Sequence, residues 1–222
     1  MVYKVGPKMK IFLDSLVITL LILIIGFSMG YFFENFRTQK IVDEYRDNEI
    51  SALDLKLQNY YYQIMDESSC EEAINQNFIF ADDLYNQGIE IEKFEESAQV
   101  SDSIFREKRR HVLLKTELWL NTILLKNKCK DPFDTVVYFY SNDPGNNVKV
   151  SEQKVISNVL KSVKEKKGNK IVLIPIAGDM GLGIVDLQRR IYNVTALPSI
   201  LINENKLVEG FHDEKEILSY LR

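Results

Sequence analysis

The sequence predicts an α/β domain at its C-terminal end, preceded by an all-helical segment and by an apolar N-terminal helix. Three observations support this organisation: residues 11–33 are almost uniformly apolar, residues 34–130 show helical periodicity, and residues 131–222 alternate between β-branched runs and amphipathic stretches. The composition, 45% apolar and 27% charged over 222 residues, is that of a folded protein with enough chain for a core. Residues 1–10 form a short N-terminal tail.

Composition and charge exclude several classes of protein. Two cysteines and two histidines are too few for a disulfide-rich scaffold or a four-thiolate zinc site, so we expect no metal ion and no cofactor. The net charge of −4 argues against a nucleic-acid partner. Residues 1–33 contribute three lysines and one aspartate, or +2, so the remaining chain carries −6, which disfavours docking onto anionic lipid.

Residues 11–33 are the predicted membrane anchor. They contain one charge, Asp14, and a helix of this length at 1.5 Å per residue spans the hydrocarbon layer of a bilayer, about 30 Å. The basic tail before them is typical of a secretory signal or signal anchor. We expect a single-pass cell-membrane protein that contacts lipid through this helix, with a cytoplasmic N-terminus and extracytoplasmic C-terminal domains. A cleaved signal remains an alternative, because Ser28 and Gly30 are small residues two apart.

The helical segment, residues 34–130, divides into three stretches. In the first, apolar residues recur at spacings of three and four and form one seam: Ile50, Leu53, Leu57, Tyr60 and Ile64. The second runs from about Glu71 to Glu96. The third runs from about Ser101 to Lys128, with Ser101 or Asp102 as its N-cap. Its predicted buried side holds Val112, Leu113, Trp119, Leu120, Ile123 and Leu124.

Cys70 and Cys129 bracket the second and third of these stretches. In an extracytoplasmic compartment, two thiols so placed predict a structural disulfide. Free buried thiols and a redox-active pair are the alternatives. The wide separation of the two cysteines disfavours redox activity, because reactive dithiols usually occur as Cys-x-x-Cys.

Beyond Pro132 the pattern predicts the order βαβαββα. The β-branched and aromatic runs predict strands, the amphipathic stretches predict helices, and Asp213 with Glu216 resembles a capping box. The predicted strands are Thr135–Tyr140, Lys170–Ala177, Pro198–Ile202 and Leu207–Phe211. The predicted helices are Ser151–Lys166, Gly183–Asn193 and a last helix from Asp213 to the terminus.

This order resembles the thioredoxin fold without its first strand and helix. The most specific match is YNVTALPSILI, Tyr192 to Ile202, in which Pro198 occupies the position of the thioredoxin cis-proline. The resemblance implies that the residues before this proline offer their backbone to an extended peptide, so Thr195, Ala196, Leu197 and Pro198 are the candidate peptide-binding or partner-binding residues. The alternative is that Pro198 only makes the turn into the strand.

Two further residues test the resemblance. Pro175 lies inside the second predicted strand, and because proline cannot donate to a central ladder, this strand must lie at a sheet edge. Thioredoxins place Cys-x-x-Cys where the first of these strands meets its helix, but the corresponding stretch, Asn142–Gln153, contains no cysteine. It predicts a flexible surface turn, with Ser151 as a helix N-cap rather than a nucleophile.

These observations favour a membrane-anchored, redox-inactive binding, adaptor or chaperone-like module with no catalytic residues. One alternative is a thiol–disulfide oxidoreductase that uses Cys70 and Cys129 or the cysteines of a partner. Another is a structural membrane scaffold that self-associates through the helical segment at residues 41–66. The basic cluster Lys108–His111 is interpreted as solvated helix surface.

Overall fold

The computed structural model describes residues 7–97, 102–130, 132–143, 145 and 147–222. The chain divides into two compact units, Met1–Leu53 and Asp54–Arg222, so the domain boundary predicted between residues 130 and 131 lies inside the second unit. The helices are α1 (Pro7–Ile64), α2 (Cys70–Ser97), α3 (Asp102–Lys128), α4 (Asn147–Lys167), α5 (Gly183–Ile191) and α6 (Glu214–Ser219). The strands are β1 (Asp134–Tyr140), β2 (Ile171–Ala177), β3 (Ser199–Ile202) and β4 (Lys206–Glu209). Short 3₁₀ turns precede α2 and β2.

The first unit contains the apolar stretch of α1. Within the described residues, Ser15–Phe32 is the one helical stretch long and apolar enough to cross a membrane. None of its side chains is buried, and even Leu16 is 48% exposed. A secretory signal would have the same length and composition, so the structure supports a candidate span. The orientation of the chain in a membrane stays a prediction.

The second unit contains a mixed four-stranded sheet of order β2-β1-β3-β4. Strand β1 pairs in parallel with β2 and antiparallel with β3, and β3 and β4 form a hairpin. Strand β2 lies at the edge, where Pro175 stands opposite Tyr138, as the sequence required. This strand order and the cis peptide bond Leu197–Pro198 fit a thioredoxin-like fold.

The sheet is covered on both faces. Side chains alternate across β1, so Val136 and Tyr138 pack with α4 and α6, while Val137 and Phe139 point to the opposite face. On that face α3 packs against the sheet, and the fully buried Trp119 ring lies 5.8 Å from the Phe139 ring, edge to face. Helix α3 is therefore part of the same core as the sheet.

Helices α2 and α3 pack together and are joined at one end by a disulfide. The structure bonds Cys70, the first residue of α2, to Cys129, which directly follows α3. The predicted pairing is therefore present. A cross-link across 59 residues lowers the conformational entropy of the unfolded chain, which stabilises the folded state by about 4 kcal/mol in the chain-entropy model.

Several helix boundaries differ from the sequence prediction. Helix α4 begins at Asn147, one turn earlier than expected, so Ser151 lies inside the helix and the prediction of an N-cap there was wrong. The predicted cap of the last helix is confirmed, because Asp213 Oδ1 accepts a hydrogen bond from the Glu216 N–H at 2.8 Å. That helix ends at Ser219, short of the terminus. The N-cap candidate Ser101 lies outside the described residues.

The apolar positions of the long helices divide between core and surface differently from the expected pattern. Leu113, predicted to be buried, is 43% exposed. In the second unit, the seam residues Leu57, Tyr60 and Ile64 are exposed. The same helix instead faces the core with Leu55 and Tyr62, because Asn59 Nδ2 donates to Asn121 Oδ1 on α3 at 2.5 Å and fixes its rotation.

Candidate functional site

The candidate site lies where β1 and β2 end. The two strands are parallel neighbours, so the segments that leave their carboxyl ends lie side by side. The Gly178 N–H donates to the Tyr140 carbonyl oxygen at 2.8 Å and keeps the two segments together. A Cβ on Gly178 would lie 3.0 Å from Leu197 Cδ2, so the loop that precedes β3 packs directly on this glycine.

The loop before β3 holds the four residues predicted to contact a partner. Its shape is fixed by two hydrogen bonds: Ser199 Oγ donates to the Ala196 carbonyl at 2.6 Å, and the Gly210 N–H donates to the Pro198 carbonyl at 3.3 Å. Pro198 is buried, whereas Thr195 and Ala196 are exposed. Leu197, directly before the cis-proline, is half-buried, so the exposed part of this loop is Thr195 and Ala196.

The main chain of this loop has unused donors. Within the described part of the chain, no group accepts a hydrogen bond from the N–H of Ala196 or of Leu197. Main-chain donors that no described residue uses are available for pairing with an extended chain.

The stretch that carries Cys-x-x-Cys in thioredoxins is here a polar hydrogen-bond network. Asp179 accepts from Ser141 Oγ at 2.5 Å and from the Asn142 N–H at 2.7 Å. Ser141 Oγ accepts in turn from the Asp143 N–H at 3.2 Å. Residues 141–143 are therefore held in place, and the expectation of a flexible turn was wrong for them, because Asp179 on the neighbouring loop supplies the acceptors.

Gln153 ties this network to helix α4. Its amide makes a reciprocal pair with Ser141: Oε1 accepts from the Ser141 N–H at 2.6 Å, and Nε2 donates to the Ser141 carbonyl at 3.0 Å. Every polar group of Ser141 is used in this way, and both carboxylate oxygens of Asp179 already accept hydrogen bonds. The arrangement holds the start of α4 against the end of β1.

The basic cluster on α3 packs against these loops. Lys108 Nζ donates to Asn142 Oδ1 at 2.7 Å, and Arg109 Nη2 donates to the Gly181 carbonyl at 3.3 Å. His111 is 6% exposed, so its interpretation as solvated surface was wrong. Burial, together with the nearby charges of Lys115 and Arg110, lowers the pKa of His111 to about 2, so its imidazole is neutral.

Lys115, one turn after His111, is the site residue that the sequence analysis missed. It is 8% exposed and lies on the face of α3 that packs against α2 and the sheet. The available signal was its spacing of three or four residues from Val112 and Trp119, which places it on the predicted buried side of the helix. A lysine at such a position is usually assumed to reach solvent, so the pattern alone did not indicate that Lys115 is buried.

The cysteines do not contribute a thiol to the site. Both cysteines of the chain are in the disulfide at the far end of α3, and no free cysteine occurs among the described residues. Within that part of the chain there is also no cluster of three or more histidine, cysteine, aspartate or glutamate side chains that could hold a metal ion.

Comparisons with known proteins give partial similarities to solved structures, two of which follow. No protein-family model and no curated protein matches the chain. The solved structure of a malarial protein is 17% identical, covering 40% of this chain and 92% of its own, with a TM-score of 0.32. The germline-specific thioredoxin Deadhead of Drosophila melanogaster is 22% identical, covering 45% of this chain and 89% of its own, with a TM-score of 0.31. The description of the fold as thioredoxin-like rests on the strand order and the cis-proline.

Proposed function

We propose that the chain is a membrane-anchored, extracytoplasmic thioredoxin-like module that binds an extended peptide at Thr195–Pro198 without dithiol chemistry. The observation that carries the proposal is that the N–H groups of Ala196 and Leu197 are unused by the described residues, in a loop where Thr195 and Ala196 are exposed. A bound peptide would add a strand there and satisfy these donors.

The chemistry around the loop supports binding rather than exchange. A thiol–disulfide exchange needs a thiolate, and the stretch that would hold it contains Ser141, Asn142 and Asp143 in a closed hydrogen-bond network. The Pro198 loop is held separately, by the hydrogen bonds of Ser199 and Gly210. A loop held in this way, with free donors, suits an adaptor or chaperone-like role, because little conformational entropy is lost on binding.

Peptide binding is tested with the full chain in lipid nanodiscs and a fluorescent peptide from a permanently unfolded, carboxymethylated protein. Ala196→Pro removes one donor N–H and is expected to weaken binding about tenfold, the effect of roughly one hydrogen bond. Ala196→Gly keeps the N–H and is the matched control. Equal binding by wild type and both variants, with unchanged circular dichroism, would contradict the proposal.

The oxidoreductase alternative is separated by insulin reduction. We expect the full chain with dithiothreitol to reduce insulin no faster than dithiothreitol alone, because Cys70 and Cys129 lie 59 residues apart and residues 142–153 contain no cysteine. Catalysed reduction that disappears in Cys70→Ser would replace the binding role with an enzymatic one.

Self-association is a second candidate function, favoured by one observation. Leu57, Tyr60, Tyr61 and Ile64 form an exposed apolar stripe on one face of α1. We propose that a second copy covers it, since copies anchored in one membrane share their orientation. Sedimentation of the full chain in detergent is expected to show a dimer that Leu57→Ser with Ile64→Ser dissociates, and a monomer at all concentrations would exclude this role.

A further inference from the structure

Two adjoining cavities lie between helices α2 and α3 and the sheet, along β2 and at the carboxyl end of β1, and residues 195–198 line neither of them. The larger has a volume of about 300 Å³ and the smaller about 200 Å³. They share Gly88, Glu92, Lys115 and Tyr140 as lining residues. Together they reach the size of small-molecule sites, which begin at about 300 Å³.

The ammonium group of Lys115 stands at the junction of the two cavities without a partner. Among the residues that the structure describes, none forms a hydrogen bond or an ion pair with it. The charge of Glu92 acts on it from beyond contact distance. The Lys115 side chain is 8% exposed and lines both cavities, so an anionic ligand there would supply the partner that its ammonium group lacks.

The neighbouring imidazole of His111 also lacks a hydrogen-bond partner. Neither ring nitrogen of His111 has a hydrogen-bond partner within the described residues. A Cβ on Gly88 would lie 3.1 Å from His111 Nε2 and 3.7 Å from Lys115 Nζ, so the bare glycine leaves room for both groups. Because His111 is neutral, this pair presents a single positive charge.

Both cavities mix polar and apolar groups. Asn142 and Gln153 are among the polar residues that line the larger cavity. Leu84, Leu118 and Leu173 are among the apolar residues that line the smaller one, which Lys115 and Glu92 also line. A ligand that joins one anionic group to an apolar body matches this mixed lining, with the anionic group beside Lys115.

We propose that the paired cavities bind a small monocarboxylate with an aromatic or branched aliphatic body, whose carboxylate accepts hydrogen bonds from the Lys115 ammonium. The apolar body lies among Leu84, Leu118 and Leu173. A single negative charge is favoured over a dianion, because Glu92 lines both cavities and would repel the second charge. This site is independent of peptide binding at the Pro198 loop.

The test uses the full chain in nanodiscs, with phenylacetate as the probe in isothermal titration calorimetry. Phenylacetamide and acetate are the matched controls, since the first lacks the charge and the second lacks the apolar body. We expect phenylacetate to bind about 10- to 100-fold more tightly than either control, the effect of one charge-assisted hydrogen bond or of a buried ring. Lys115→Met is expected to abolish this preference.

A second buried lysine on the same helix provides the control variant. Lys126 is 9% exposed, but it pairs with Glu204 at 3.2 Å, so Lys126→Met is expected to leave phenylacetate binding unchanged. If Lys115→Met fails to fold, acetylation of the wild-type chain followed by mass spectrometry replaces it. Phenylacetate should then slow the modification of Lys115 and leave that of Lys126 unchanged.

Three results would overturn the proposal. The first is no heat of binding for phenylacetate at about 20 mM, where a ligand with a millimolar Kd would be mostly bound. The second is equal binding of phenylacetate and phenylacetamide, which would remove the role of the charge. The third is full binding by a folded Lys115→Met variant.

Discussion

The two ends of the sheet differ in whether a buried lysine of α3 has a partner for its ammonium group. At the amino end of β1, Lys126 Nζ donates to Asn203 Oδ1 at 2.8 Å and pairs with Glu204 at 3.2 Å. At the carboxyl end, Lys115 is equally buried, and no described residue pairs with its ammonium group. The difference shows that this fold has the means to satisfy a buried ammonium group and uses them at one end only.

The amino end is a closed network. Asn203 Oδ1 also accepts from the Thr135 N–H at 2.9 Å, and Asn203 Nδ2 donates to Asp134 Oδ1 at 2.8 Å. Trp119 Nε1 donates to Glu204 Oε1 at 2.9 Å. Such a network contributes to stability, whereas the open polar groups at the carboxyl end lower it. Unsatisfied buried groups of this kind are more typical of a binding site than of a core.

The largest effect is expected from the disulfide, which belongs to the closed end because Cys129 precedes β1. Replacement of both Cys70 and Cys129 by serine should lower the free energy of unfolding by about 4 kcal/mol, the chain-entropy value for this loop. Urea unfolding of the full chain, followed by the fluorescence of Trp119, measures it. An unchanged midpoint would show that α2 and α3 stay packed in the unfolded ensemble without the cross-link.

Opening the closed network should have the next largest effect. Lys126→Met leaves the buried oxygens of Asn203 and Glu204 without their cation, and breaking such a pair costs about 3 kcal/mol. The same urea titration measures this loss. A loss below about 0.5 kcal/mol would mean that the Lys126–Glu204 pair contributes no more than an exposed salt bridge. The two buried lysines would then no longer differ in their effect on stability.

Acid sensitivity should arise at the open end. The pKa of His111 is lowered from 6.5 to about 2, so between these values the unfolded chain binds a proton that the folded chain does not. The stability that depends on a neutral His111 is therefore fully present above pH 6.5, and below it falls by about 1.4 kcal/mol per pH unit, or roughly 3 kcal/mol by pH 4. His111→Leu should remove this dependence.

The second histidine of the chain is the matched control for the acid experiment. His212 Nδ1 lies 2.9 Å from Glu216 Oε1 near the surface, and His212→Leu should leave the acid dependence in place. If His111→Leu and wild type lose stability in parallel between pH 7 and pH 4, the acid sensitivity has another origin.

The sequence predicted the sheet better than the helical segment. Residues 134–140 and 171–177 are short β-branched runs bounded by turn residues, and burial on both faces keeps such runs in strands. The position of Pro175 even placed β2 at the edge of the sheet, because a missing N–H is tolerated there. The helix periodicity also located α2 and α3, since neither segment contains a proline.

The candidate site was predictable only where one residue type fixes the backbone. Pro198 marked its loop from the sequence alone. By contrast, the roles of His111 and Lys115 depend on how α3 rotates against α2 and the sheet, which a single helical pattern does not specify. Likewise, the seam residues Leu57 and Ile64 repeat as core residues do, yet Leu55 faces the core because Asn59 and Asn121 bond across the helices.

The smallest effect, and the one of opposite sign, is expected at the open end. Lys115→Met removes a buried charge that has no partner among the described residues, so stability at pH 7 should rise by about 1 kcal/mol, whereas the same change at Lys126 lowers it. Burial lowers the pKa of Lys115 from 10.5 to about 8. Between these values the unfolded chain holds the extra proton, so wild-type stability should rise with pH, and the variant should lack this rise. A loss of stability in Lys115→Met as large as in Lys126→Met would mean that the ammonium group is satisfied after all, and the two ends of the sheet would then be alike.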